Sequence, residues 1–357
     1  MRKKLRVAQI APLWFSVPPK KYGGTERIIS YLTEGLVKRR HKVTLFAPGT
    51  SKTKAKLVSV TKKGLISQKI SWHDWWWNSF NYSLAFERAS EFDIIHSHWT
   101  PLGMYFQRFV KTPVLHTFHN IPKKTDKRWP ILTHYQKDSK VVFISKKQRQ
   151  NSPIRFKREW LVYNGIDISQ FKFNEKPENY FIWIGRICQD KGTKTAVEVA
   201  RKLGIRLLLA GQLQPEYKNY FEKEIKPYLG AKIKYIGELS QNQLSSFYGK
   251  AQAFLYPIEW QEPFGLCIVE AQACGTPVIA FNRGSAKEVI KNRKTGLVVP
   301  FFDQKKRKNI KGLIGAVKKI DKIKRKDCRR WVEKKWTLEK MVGNYEKIYH
   351  KLTKKKV

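Results

Sequence analysis

The stretch Glu262-Pro-Phe-Gly-Leu-Cys-Ile-Val-Glu270, followed by Ala-Gln-Ala-Cys-Gly-Thr-Pro-Val278, is the part of this sequence best suited to chemistry. It follows an apolar run at 253–258, and Pro263 marks the expected start of a helix that Gly275-Thr-Pro277 ends. The backbone N–H groups of Phe264, Gly265 and Leu266 then sit near a helix N-terminus, where free amides and the helix dipole suit a phosphate. Gly265 lets another group approach the backbone closely. Glu270 falls among Leu266, Ile268, Val269, Ala271 and Ala273, and a carboxylate in so apolar a helix requires a definite partner. That partner is either a ligand or an Arg or Lys of the same chain.

A second candidate is Ile184-Gly-Arg-Ile-Cys-Gln-Asp-Lys-Gly192, between an expected strand and a helix beginning near Thr193. Arg186 offers a fork of donors and Lys191 a point charge, both suited to a diphosphate. A third set is His96, His98, His116 and His119. Four imidazoles near strand ends are a formal zinc set, but no acidic ligand stands beside them as a metal hydrolase would want.

These residues need a scaffold. Short apolar runs at 5–10, 43–47, 92–96, 114–118, 141–144 and 160–163 alternate with helix-length segments. A second series runs through 180–184, 206–210, 233–236, 253–258, 278–281 and 297–299. Doubly apolar strands alternating with helices predict parallel α/β sheets. The quiet segment from Asn164 to Pro177 divides them, so the chain reads as two doubly wound domains. Ligands of such sheets bind beyond the carboxyl ends of the strands, at switch points, and two such domains are expected to face each other across a cleft. Near the end, Trp331, Leu338, Met341, Val342, Tyr345, Ile348, Tyr349 and Leu352 fall on one amphipathic stripe that needs a surface to cover.

Composition sets outer bounds. The 357 residues suffice for two domains with cores of their own. No apolar run approaches the roughly 18–20 residues of a membrane span, and the basic N-terminus lacks the apolar length of a secretory signal. The four cysteines form no CxxC pair, which removes the usual zinc and redox signatures and suits a reducing cytoplasm. The formal net charge is +44, from 72 Lys+Arg against 28 Asp+Glu, and residues 304–357 alone carry 21 basic against 5 acidic side chains. Such a charge draws a protein towards polyanions or an anionic membrane, unless it is only surface decoration. Nucleic acid is not an expected partner, because no binding motif accompanies the charge.

The two glutamates, with Phe264-Gly265 between them and Ala-Cys-Gly-Thr-Pro-Val after them, combine with Gly185-Arg186 and Lys191-Gly192 into a specific pattern. With Gly23-Gly-Thr-Glu26, Asp93-Ile-Ile-His-Ser-His98, His116-Thr-Phe-His119, Asn164-Gly-Ile-Asp167, Gly284-Ser285 and Glu288, and the helix from Trp336 to Tyr349, the chain resembles the retaining glycosyltransferases of family 4 over nearly its full length. The resemblance implies a GT-B fold of two Rossmann-like domains. Residues 1–165 would form an acceptor domain and 166–335 a nucleotide-sugar donor domain, with 336–357 a helix packing back on the first.

The resemblance also implies roles. Arg186 and Lys191 would hold the donor diphosphate and stabilise the leaving charge in place of a metal ion. The amides at Phe264, Gly265 and Leu266 would contact phosphate. Glu270 would accept from the ribose hydroxyls, and Glu262 would bind hydroxyls of the transferred sugar. His119 would lie near the reacting sugar, and Gly23 and Gly24 would approach the donor phosphate or the acceptor. The leaving phosphate takes the acceptor's proton, so no protein nucleophile is expected, and neither a metal nor a further cofactor. The expected donor is a UDP- or GDP-sugar, and the acceptor a glycan, lipid-linked or small molecule, with peripheral contact to anionic membrane. Gly211-Gln-Leu-Gln214 departs from the small glycine-rich turn of the family. The aromatic Trp72-His-Asp-Trp-Trp-Trp77 suits a sugar or lipid contact or a packed core edge. A GT-B-fold sugar-nucleotide epimerase and a non-enzymatic polyanion-binding protein are the alternatives.

Overall fold

The structure is a computed structural model that describes residues 3–72, 74–99, 101–120, 127 and 129–354. It divides into two compact units, Met1–Gly165 with Leu338–Val357, and Ile166–Thr337.

The first unit is built on a seven-stranded parallel sheet in the order β3-β2-β1-β4-β5-β6-β7. Its strands are β1 (Arg6–Ile10), β2 (Lys42–Phe46), β3 (Lys56–Val58), β4 (Ile94–Ser97), β5 (Val114–Phe118), β6 (Lys140–Phe143) and β7 (Arg158–Leu161). The chain leaves β1 for β2 and β3 on one side, then returns to β4 on the other. This reversal makes the carboxyl ends of β1 and β4 a topological switch point. Residues Gln9 and His96 are register partners there, and Ser97 pairs with His116. Because side chains alternate along a strand, His96 and His98 share a face, whereas His116 and Thr117 point to opposite faces. β3 is absent from the reading of the sequence. It is three residues long and half-buried at the sheet edge, too short to leave a period.

The second unit has a six-stranded parallel sheet in the order β10-β9-β8-β11-β12-β13. These strands are β8 (Phe181–Ile184), β9 (Leu207–Ala210), β10 (Ile233–Tyr235), β11 (Ala253–Tyr256), β12 (Val278–Phe281) and β13 (Gly296–Val299). Its switch point lies between β8 and β11. Trp183, Leu207, Leu209, Leu255, Ile279 and Phe281 form its core against the helices Thr193–Leu203 and Ile310–Val317.

The single amphipathic stripe expected near the end is broken. Trp331 belongs to the helix Arg325–Lys335 of the second unit, and a new helix, Leu338–Thr353, begins after Thr337. On that last helix Met341, Val342, Tyr345, Ile348 and Tyr349 are buried. Burying aliphatic side chains such as Val342 and Ile348 contributes roughly 1.5–3 kcal/mol each. The helix lies against Gly24–Lys38 of the first unit so closely that a Cβ on Gly35 would come 2.4 Å from Val342 Cγ2. Arg39 pairs with Glu346 at 2.8 Å, and His41 Nε2 stands 3.1 Å from the same carboxylate.

Candidate functional site

In the second unit the two loops singled out by sequence are neighbours, because β8 and β11 are adjacent strands and both loops leave their carboxyl ends. The peptide N–H groups of Glu259 and Trp260 both donate to the Asp190 carbonyl, at 3.0 and 3.2 Å. Gly192 takes φ +72, and a Cβ there would lie 2.0 Å from the Pro257 carbonyl oxygen. Only glycine permits this approach of one loop backbone to the other.

The consequence is direct contact between the motifs. Lys191 Nζ lies 2.6 Å from Glu262 Oε2 and sits over the Trp260 ring at 4.6 Å. The Tyr256 hydroxyl and the Trp260 indole N–H donate to the same Glu262 oxygen at 2.9 and 3.0 Å. Burial pushes the Glu262 carboxyl up, but the Lys191 charge and the hydrogen bonds from Lys191, Trp260 and Tyr256 outweigh it. The group is held below the usual carboxylate range. It is therefore a fixed anion facing a fixed cation.

A turn from a third strand end holds this loop. Gly284, at φ +55, leaves room for the Glu262 backbone, whose carbonyl oxygen would be 2.1 Å from a Cβ. Ser285 N–H donates to the Glu262 carbonyl at 2.9 Å, and Ser285 Oγ to the Phe264 carbonyl at 2.7 Å. Phe264 is buried edge-on against Trp336, with ring centroids 5.7 Å apart.

The helix starts later than Pro263. Gly265 has φ +81, which no right-handed helix can run through, so Gly265 is the cap and Leu266–Ala273 the helix. The amides of Gly265 and Leu266 remain at its amino end. Glu270 is buried, and the Tyr248 hydroxyl donates to its Oε2 at 3.0 Å. Arg186 is half-buried and donates from Nη1 to Gln214 Oε1 at 3.3 Å. The departing Gly211–Gln214 turn thus supplies the residue that orients Arg186. Sequence reasoning missed Tyr256, Trp260, Tyr248 and Gln214. The aromatic residues flanking Glu262 were the signal available for two of them.

In the first unit, Gly23 (φ +139) caps the helix Gly24–Lys38 at the end of the loop after β1, and a Cβ on it would meet Pro19 at 2.7 Å. Glu26 of the same motif is buried in the first helical turn, and burial pushes its carboxyl up to about 7 against smaller opposing effects of a backbone hydrogen bond and Arg27.

The histidines do not converge on a point. His116 Nε2 meets Gln107 Oε1 at 2.9 Å on the face away from Thr117. The others form a hydrogen-bonded line that runs from the half-buried His119 into the interior: His119 Nε2 to His98 Nδ1 at 3.0 Å, His98 Nε2 to Gln9 Oε1 at 2.6 Å, and Gln9 Nε2 to the Tyr349 hydroxyl at 2.9 Å. It continues from Tyr349 to His96 Nδ1 at 2.6 Å, His96 Nε2 to Thr117 Oγ1 at 2.7 Å, and Thr117 to the Tyr345 hydroxyl at 3.1 Å. Burial holds His96 and His98 well below the usual range, and His119 at about 4. All three imidazoles are neutral at pH 7.

A different group, His41, Glu346 and His350, places ligand atoms within 4.8 Å of one another. His41 Nδ1 accepts from the Leu5 N–H at 3.1 Å, so its proton is on Nε2, aimed at Glu346. That cluster ties the last helix to the residue before β2, and His41, with Nδ1 occupied by the Leu5 N–H, offers no lone pair to a metal.

Of the aromatic stretch, His73 lies outside the described residues. Trp72 packs on Trp14 at 5.0 Å and Trp75 on Trp99 at 5.5 Å, while Trp76 is 83% exposed and Phe80 53%.

Two Rossmann-like parallel sheets, one carrying a cation–carboxylate pair at its switch point, define a doubly wound α/β protein of two units. The model for glycosyltransferase family 4 matches residues 22–170, and that for glycosyl transferases group 1 matches residues 166–310. The chain belongs to the family 4 glycosyltransferases, the retaining hexosyltransferases of the GT-B fold. An uncharacterized glycosyltransferase of Methanocaldococcus jannaschii, MJ1607, is 23% identical over 335 residues, covering 82% of this chain and 85% of that protein. The sucrose-phosphate synthase of Thermosynechococcus elongatus superposes with a TM-score of 0.79 at 20% identity, over 98% of this chain and 99% of its own. Anabaena HepE in complex with UDP-glucose gives 0.75 at 16% identity, over 98% and 100%. At these identities the structural likeness speaks for the fold. Among the described residues no helix is long and apolar enough to cross a membrane.

Proposed function

We propose that this glycosyltransferase takes a hexose from a UDP- or GDP-sugar and passes it, with retention and without a metal ion, to a glycan, lipid-linked or small-molecule acceptor. The observation that carries this reading is the Lys191–Glu262 pair at 2.6 Å, on adjacent loops at the switch point of the second unit. A sugar diphosphate bears anionic oxygens next to hydroxyl donors, and this pair presents the complementary groups side by side.

On donor binding, Glu262 accepts from sugar hydroxyls while Lys191 and Arg186 meet the diphosphate. Their charge is already in place when the glycosidic bond breaks, so stabilising the leaving phosphate needs no reorganisation. The amides around Phe264, Gly265 and Leu266 add donors at a helix terminus. Glu270, oriented by Tyr248, takes the ribose hydroxyls, and His119 and the Gly23-Gly24 loop of the first unit serve the transferred sugar and the acceptor. Since HepE binds UDP-glucose on the same fold, UDP-glucose is the first donor to test.

The decisive measurement is thermal stability in EDTA with UDP, GDP, UDP-glucose and GDP-mannose. A ligand at about 100 times its Kd adds about 2.7 kcal/mol. A base-selective shift lost in Arg186→Ala and Lys191→Ala is expected. No shift with any nucleotide in the folded protein would overturn the reading.

The membrane part of the proposal rests on a patch of the first unit. Trp76 and Phe80, one helical turn apart, are exposed beside Trp72, Trp75 and Trp77. Residues 12–23 and 60–80 contribute Lys20, Lys21, Lys62, Lys63 and Lys69, with Asp74 as their acid. Tryptophans flanked by lysines suit an anionic lipid interface, where each cation contributes about 1 kcal/mol. Sedimentation with phosphatidylglycerol vesicles should pull down the protein at low salt and much less of Trp76→Ser/Phe80→Ser. Equal binding of both would remove this face from the proposal.

A further inference from the structure

With the Gln9 amide placed as it is, the line from His119 to Tyr345 has one hydrogen-bonding sense. Gln9 is the pivot, with its amide oxygen on His98 Nε2 and its amide nitrogen on the Tyr349 hydroxyl, at 2.6 and 2.9 Å. An amide oxygen only accepts, so His98 carries its proton on Nε2 and its Nδ1 is a bare lone pair. The His119 nitrogen facing that lone pair at 3.0 Å is Nε2, and it must therefore be the donor. Beyond Gln9, the Tyr349 hydroxyl accepts from the amide and spends its own proton on His96 Nδ1 at 2.6 Å. His96 is thereby an Nε2–H imidazole, which donates to Thr117 Oγ1 at 2.7 Å. The Thr117 proton is left for Tyr345, 3.1 Å away.

Every link runs the same way, and no single link can be reversed alone. Turning the Gln9 amide over would make His98 an Nδ1–H donor towards His119. It would also require Tyr349 to give its proton to Gln9 and take one from His96 Nδ1. All three imidazoles would change tautomer together. Gln9, His96 and Tyr349 are fully buried, so water cannot stand in for a lost partner, and an unmatched group there costs its desolvation.

We propose that Tyr349, on the last helix, is a positioning residue that locks His119 as the Nε2–H tautomer through Gln9 and His98, so that His119 presents Nδ1 as a hydrogen-bond acceptor to a hydroxyl of the bound sugar. The last clause rests on the placing of His119 at the sugar under Proposed function. The lock itself does not. The residue at 349 is 340 positions from Gln9 in the chain, and its hydroxyl is the contact through which the final helix reaches Gln9, while Tyr345 of the same helix meets the far end of the line at Thr117. Its loss leaves the Gln9 amide without its acceptor and free to turn over, which mixes the tautomers of His98 and His119.

The experiment is long-range proton–nitrogen correlation NMR on protein labelled with nitrogen-15 histidine, assigned with His→Gln variants and recorded without ligand at pH 7. His96, His98 and His119 should each show one protonated nitrogen, Nε2. In Tyr349→Phe, His98 and His119 should become tautomer mixtures. Tyr345→Phe, which removes only the terminal acceptor, should leave His98 and His119 unchanged. An Nδ1–H His119 in the wild type overturns the proposal, as does a His119 signal untouched in a folded Tyr349→Phe. Because the wild-type spectrum alone tests the sense, a variant that fails to fold does not rescue the idea. Kinetics with UDP-glucose, or whichever sugar nucleotide shifts the melting point, then read the consequence. Tyr349→Phe should lower kcat about tenfold, the worth of one hydrogen bond, with KM for the donor little changed, and an unchanged kcat overturns the link to the sugar. Failure of the donor reading shows separately, as absent nucleotide binding with the NMR lock intact.

Discussion

Lys191 and Glu262, 71 residues apart in sequence, meet at 2.6 Å with 13% and 12% of their side chains exposed. In a site this enclosed, removing one partner leaves a charge with too little water to solvate it. Lys191→Met or Glu262→Gln alone should each cost about 3 kcal/mol, and the double variant much less than the sum. Denaturant unfolding of the four proteins measures the coupling. Additive losses would mean that the pair is not an energetic unit. The pH sign follows from the direction of the carboxyl. Glu262 is held below its ordinary 4.5, so its stabilisation is present above that value and lost as pH falls through the lowered one.

The loop geometry behind that pair depends on one backbone conformation. At Gly192 a methyl group would lie 2.0 Å from the Pro257 carbonyl oxygen in a left-handed conformation. Gly192→Ala should lose about 2–4 kcal/mol and donor affinity together, because Lys191 is displaced when the loops part. A Gly192→Ala protein with wild-type melting and wild-type nucleotide shift would show that the loops are not held this way.

The alternation of apolar runs in the sequence placed twelve of the thirteen strands among the described residues, because strands buried on both faces are predominantly apolar. The loops carrying Arg186, Lys191 and Glu262 were legible for a related reason, since they follow strands in a sheet whose ligands bind at strand ends. His98 stood out as one of four histidines near strand ends and Tyr349 as part of the last amphipathic stripe, but Gln9 was only a polar side chain in an apolar run, and nothing local says that positions 340 apart will touch. The helix start was misplaced at Pro263 because proline and glycine both mark helix ends. It is the sign of φ at Gly265 that decides between them. The break between the last two helices is masked by an amphipathic stripe that continues in phase across it, and only the family resemblance, with its separate helix from 336, marks it.

Glu26 offers a pH effect of opposite sign to that of Glu262. With its carboxyl pushed up to about 7 from 4.5, the folded state prefers the protonated form. The stability it contributes is complete below the unfolded value and is lost as pH rises through the folded one. By pH 8 the cost is about 3 kcal/mol. Glu26→Gln, which keeps the neutral shape, should be markedly more stable than wild type at pH 8 and nearly equal to it at pH 4.5. Equal melting temperatures across that range would contradict a neutral, buried Glu26.

The enclosed histidines act against Glu26, and they outnumber it. Burial lowers the imidazoles of His96 and His98 well below the ordinary 6.5, and that of His116 to about 3, with Lys140 adding repulsion. A depressed histidine lets the unfolded chain take protons first, so stability is complete above 6.5 and falls with pH towards the folded value. At pH 5 a residue held as low as His116 costs about 2 kcal/mol relative to pH 7.5. His96 and His98 are depressed in the same direction as His116, so three groups lose stability over the interval in which one carboxyl, Glu26, regains it. The melting temperature should therefore fall between pH 7.5 and 5, more steeply in Glu26→Gln, where the compensating carboxyl is gone, and less steeply in His116→Gln. A wild-type protein that becomes more stable over this interval would mean that the histidines are not held neutral.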